Sequence, residues 1–133
     1  MALTTLIRGD DWKFTFTVLT PAGVAKDITG GSIWLTMKDA ASVGQPDSAA
    51  VFQLSDLDIQ AADHPDNDVV NGIVVLAARH DTVGASPPSN TLVAAGKYNY
   101  DVQYQDAGAG GAITTIESGS VTVANQITEA APS

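Results

Sequence analysis

Apolar and polar residues alternate along much of this chain. Trp12, Phe14, Phe16 and Val18 hold every second position, with Lys13, Thr15 and Thr17 between them. Ile33, Leu35 and Met37 resume the pattern, and Tyr98, Tyr100, Val102 and Tyr104 alternate with Asn99, Asp101 and Gln103. A period of two puts one set of side chains on each face of an extended strand, as in half-buried antiparallel sheets. Turn residues punctuate the runs: Pro21-Ala22-Gly23, then Asp27-Ile28-Thr29-Gly30-Gly31, then DAGAGG at 106–111. Asp27 is expected to bond its own local backbone, and the glycine-rich 106–111 segment to close a hairpin. The pattern predicts strands over residues 4–8, 11–19, 32–38, 49–54, 72–79, 97–105 and 112–124, with Gly119 a bulge or bend. Residues 72–79, GIVVLAAR, are apolar on both parities and read as a central strand covered on both faces. Residues 39–48, 56–71 and 80–90 are polar or Gly/Pro-bearing and read as loops, and no segment argues for a long helix.

This reading gives an all-β chain, an immunoglobulin-like antiparallel β-sandwich of about seven strands. Tyr98, entering a late strand just after Gly96, fits either a tyrosine corner or a plain aromatic strand face. Residues 1–127 form one domain, and the Ala/Pro/Ser-rich stretch 128–133 is a flexible C-terminal tail.

Composition narrows the partners more than the chemistry. At 133 residues the chain can bury a core without staples, and it has no cysteine for disulfides or thiolate metal sites. Fifteen acidic residues against six basic ones give a net charge of -9, the wrong sign for nucleic acid or an anionic membrane. No run approaches the roughly 20 apolar residues of a membrane helix. The N-terminus, MALTTLIRGDD, has neither a basic n-region nor a long apolar stretch, so no signal peptide is expected.

Several motifs invite a chemical reading and support it poorly. Arg8-Gly9-Asp10 spells an adhesion tripeptide, but it is also good turn chemistry and is read as a tight turn between two strands. Residues 56–71 carry Asp56, Asp58, Asp63, Asp66 and Asp68 without the spacing of a calcium loop, so a solvated loop is the expectation. His64 and His80, the only histidines, are too few for a zinc site with scattered Asp. No serine sits in a G-x-S-x-G elbow, and Gly108–Gly111 opens no helix that could bind phosphate. Catalytic, cofactor-binding and metal-binding residues are therefore assigned to none, and the chain is read as non-enzymatic. Trp34 has the opposite parity to Ile33, Leu35 and Met37, which makes it the candidate outward aromatic and a possible platform for carbohydrate.

Four segments in order carry a family resemblance. They are Ile7-Arg8-Gly9-Asp10 before an aromatic strand; Asp27-Ile28-Thr29-Gly30 before Trp34-Leu35-Thr36-Met37-Lys38; Gly96-Lys97-Tyr98-Asn99-Tyr100-Asp101-Val102-Gln103; and Ile116-Glu117-Ser118-Gly119-Ser120-Val121-Thr122-Val123. Over roughly residues 5–128 the chain resembles the N-terminal immunoglobulin-like domain of phage upper-baseplate and tail-fibre proteins. Each motif is short; their order and spacing carry the resemblance. It implies a structural component of a tailed-phage or prophage virion, made in the host cytoplasm and assembled by protein–protein contacts in the tail, baseplate or neck. The implied partners are other phage structural proteins, with homo-oligomer formation an option and with neither nucleic acid nor membrane. Members carry the domain at the head of a longer chain. Ending at Ser133, this one is expected to be an adaptor, an accessory tail or neck protein, or a capsid decoration protein.

The expected assembly contacts are the N-terminal stretch, with Thr4, Leu6 and Arg8, and the C-terminal stretch, with Gln126 and Ile127. The alternative is a carbohydrate- or receptor-binding sandwich using Trp34 or the loop 56–71, with or without calcium.

Overall fold

A computed structural model of the chain describes residues 5–7, 12–39, 52–78, 95–108 and 110–124. Within them it is all-β. The strands are β1 (Thr5–Ile7), β2 (Trp12–Thr17), β3 (Ser32–Lys38), β4 (Phe52–Asp56), β5 (Ile73–Ala78), β6 (Gly96–Gln105) and β7 (Ile113–Ala124). Five form one sheet in the order β1-β7-β6-β3-β4, and β2 pairs with β5 in a second. Pairing β3, β6 and β7 in one sheet with β4 beside β3, and β2 with β5 in the other, is the strand arrangement of an immunoglobulin-like sandwich.

The alternating residues become the core between the sheets. Trp12, Phe14 and Phe16 point inward from β2, Ile33, Leu35 and Met37 from β3, and Tyr98, Tyr100, Val102 and Tyr104 from β6. All three tyrosines thus lie on the core face of β6. Trp12 on the small sheet meets Phe52 on the large one edge to face, ring centroids 5.2 Å apart, and this contact spans the sandwich.

Four expectations change. The sandwich is not wholly antiparallel: β1 runs parallel to β7, with Thr5 opposite Thr122 and Leu6 opposite Val123. Strands β1 and β2 belong to different sheets, and Arg8-Gly9-Asp10, read as a tight turn between them, lies outside the described residues. Strand β5 is not central. Among the described residues its one strand partner is β2, Ile73 bridges Asp68 of the 56–71 loop, and Val75 is buried on its outward face, in a cleft it shares with Asp63 and His64 of that loop. The Asn67 side-chain oxygen accepts the Val75 N–H at 2.8 Å and its amide donates to the Gln60 carbonyl at 3.0 Å, so one side chain pins loop to strand.

That loop is not merely a solvated connection. It contains two short 3-10 helices, Ala61–Asp63 and Val69–Asn71, and buries Ile59 and Val69. The 27–31 turn holds both its ends: Ile59 N–H donates to Gly31, Gly30 N–H to Ile59, and Ile28 N–H to Val69.

Gly119 is not the bulge. The register shifts between Val102 and Gln103, opposite Glu117 and Thr115, and Gly119 stays in the ladder opposite Tyr100. A Cβ at Gly119 would stand 3.3 Å from the Tyr100 ring, so the missing side chain leaves room for that ring.

The other turns form as expected. Asp27 Oδ1 accepts the Thr29 N–H at 3.0 Å and the Thr29 hydroxyl at 2.7 Å, and Thr20 Oγ1 accepts the Val24 N–H across the 21–23 turn. The β6–β7 hairpin closes with Asp106 N–H donating to Ala112 at 3.1 Å.

Candidate functional site

Three surface features remain once the core is accounted for. The first is the free edge of the large sheet. Strand β7 is paired to β6 along its length, but β1 covers its other side only at residues 122–124. Among the described residues, 113–121 have no strand partner on that side, an open edge about 30 Å long. From Ile113 to Ser120 the side chains are exposed or half-buried on both faces, and Ile113 is 57% exposed. Its sequence, ITTIESGSV, is rich in β-branched residues and has neither the proline nor the lysine with which proteins commonly blunt an edge. The sequence pattern had read this stretch as an ordinary closing strand. Only the sheet order reveals that no described strand covers it.

The second is the outer face of the same sheet. The alternation that sends Ile33 and Leu35 inward sends Trp34 and Thr36 outward. Trp34 is half-buried, and its Nε1 donates to Gln103 Oε1 on β6 at 3.0 Å. Beside it, Gln53 Nε2 donates to Thr36 Oγ1 at 3.0 Å.

The third is a cleft of about 300 Å³ between β4 and β5, where the edges of the two sheets meet. Leu54, Ser55, Asp56, Asp63, His64 and Val75 line it, along with neighbouring β5 residues. Burial raises the Asp56 carboxyl to about 6, with further upward pressure from its hydrogen bond and like charge with Asp63. Asp63 moves the other way, lowered by the proton that Asp56 shares with it and by the Gln60 N–H, which donates to Asp63 Oδ2 at 2.8 Å. Below about pH 6 the pair holds its proton on Asp56. His64 Nδ1 accepts the Asp66 N–H at 3.1 Å, and Lys13 holds Asp66 in an exposed ion pair at 2.5 Å, tying the loop to β2. Among the described residues, no group of three or more His, Asp or Glu side chains is placed to hold a metal ion. Sequence spacing could not have joined Asp56 to Asp63, because the turn that brings them together depends on the buried anchor Ile59.

The sequence-derived contacts fall unevenly on this frame. Leu6 lies in β1, half-buried against the core, and so anchors the strand. Thr4, Arg8, Gln126, Ile127 and His80 lie outside the described residues. Among the described residues no helix is long and apolar enough to cross a membrane.

No protein-family model matches the chain, and no curated protein matches it.

Proposed function

We propose that this chain is a non-enzymatic structural domain of a tailed-phage or prophage particle that works by docking to neighbouring subunits through the open edge of its large sheet. The observation that carries the docking mode is the edge of β7 that no described strand covers before Thr122. A partner strand added there would continue the ladder, with backbone hydrogen bonds giving affinity and the exposed side chains giving selectivity. The short β1 already models such an addition, since three residues pair at the end of the same edge. The phage assignment rests on the ordered resemblance across residues 5–128, and it implies other structural subunits, or further copies of this chain, as partners. In this reading the protein is made in the host cytoplasm and ends in the virion, and Thr4, Leu6, Arg8, Gln126 and Ile127 add contacts.

The test introduces lysine on the edge. Thr114 and Ser120 are exposed and make no core contact, so Thr114→Lys with Ser120→Lys should leave thermal melting close to that of the parent. In the producing strain, the doubly substituted protein should no longer co-purify with particles. Full incorporation of a folded double variant would refute docking through β7. Absence of the parent protein itself from purified particles would refute the virion role.

A further inference from the structure

We propose that the outer face of the large sheet, centred on Trp34, binds a neutral polysaccharide. The inference is independent of docking through β7, since it uses the face of the sheet and not its edge.

The ladder places side chains from four strands in one row: Ser55, Trp34, Gln103 and Thr115 sit opposite one another on β4, β3, β6 and β7. Three strand spacings make the row about 14 Å long, enough to lie under a short oligosaccharide. The row is held before any ligand arrives. Trp34 Nε1 reaches Gln103 Oε1 at 3.0 Å, and Gln103 Nε2 turns toward Thr115 Oγ1 at 3.5 Å. The indole N–H meets a side chain on the next strand, and Trp34 keeps part of its surface exposed. A flat aromatic face bordered by amides and hydroxyls is the chemistry that recognises a sugar. The ring takes the apolar C–H face, and the flanking groups both donate to and accept from its hydroxyls. Prior fixing of these side chains lowers the ordering cost of binding.

Charge selects among sugars. In this row and in the adjacent one, which contains Gln53, the single ionisable group is Asp101, and the whole chain carries -9. An anionic polymer would be repelled, whereas a neutral one meets no penalty. The arrangement also separates the two tryptophans. Trp12 is 3% exposed in the core, so a ligand-induced change in emission reports on Trp34.

The test uses the full chain in affinity electrophoresis and tryptophan-fluorescence titration. The probes are neutral soluble polymers (dextran, pullulan, laminarin, xylan, galactomannan) and anionic alginate. At least one neutral polymer should retard the protein and shift its emission, and alginate should do neither. Trp34→Ala should weaken that binding about tenfold or more, with Trp34→Phe intermediate. Gln53→Ala with Gln103→Ala changes only half-buried polar groups and keeps the test decisive if Trp34→Ala misfolds; it should weaken binding several-fold. Failure of every neutral polymer to bind, binding to alginate alone, or binding undiminished in a folded variant of either kind would each overturn the proposal.

Discussion

Replacing Asp56 with asparagine should stabilise the protein at neutral and alkaline pH and do little in acid. Asp56 is half-buried at the mouth of the β4–β5 cleft, and its carboxyl is raised to about 6 by burial and by Asp63. Unfolded, the same group loses its proton near the ordinary value of 3.8. Between those two values the folded chain binds more protons than the unfolded chain, so stability falls as pH rises through the window. The penalty is complete above about 6. A carboxamide carries no charge at any pH, can still donate to Asp63, and can still accept the Asp58 N–H that lies 3.4 Å from Asp56 Oδ1. The full interval between the two values corresponds to at most about 3 kcal/mol. Solvent screening at a half-exposed site reduces this to about 1 kcal/mol. For a chain of this length that is about 3–5 °C in melting temperature. Thermal melts of both proteins at intervals from about pH 4 to pH 8 measure it. The two curves should coincide at the acid end, diverge through the window, and run parallel above it, with Asp56→Asn the more stable. A variant less stable at the alkaline end, or a difference independent of pH, would refute the shared-proton account.

Two further substitutions probe the frame that presents these surfaces. Gly72 sits at φ 78°, and a Cβ there would stand 2.4 Å from the Val18 carbonyl oxygen and 2.9 Å from that of Lys26. Gly72→Ala therefore meets backbone strain and a clash with backbone, and chemical denaturation should show a loss of at least about 2 kcal/mol. Phe14 is 1% exposed, so Phe14→Ala should cost about 3–5 kcal/mol by the same measurement, whereas a loss under about 1 kcal/mol would mean that the sheets close over the gap.

The parts of the fold legible in sequence were those governed by local rules. Alternation located β2, β3 and β6 and the inward set on each, because a strand with one buried face leaves a period of two. Trp34 read as outward by parity alone, and it lies on the outer face. The Asp27 turn was legible because an Asx turn is made within three residues. What depended on distant pairing was not legible. The apolar run at 73–78 looks the same whether its second face is covered by neighbouring strands or by a loop, so β5 read as central. Among the described residues it pairs with one strand, and Asn67 and its loop meet the other side. Gly119 carried the ordinary signal of a bulge, but the space it leaves serves the Tyr100 ring. The Asp56–Asp63 pair and the open edge of β7 exist only once sheet order and loop path are fixed, so no spacing rule could mark them.

The same tertiary facts separate the roles of the two sheets. The outward face of β5 is occupied: Val75 is buried there, Asn67 accepts its N–H, and Lys13 draws Asp66 down onto β2. A partner approaching the small sheet would have to displace a loop anchored by Ile59 and Val69, at the cost of re-exposing two buried side chains. Among the described residues the large sheet carries no such cover over Trp34 and Gln103, and no strand pairs with the outer edge of β7 before Thr122. Among the described residues the surfaces left open are therefore on the large sheet, and the acidic loop covers the small one.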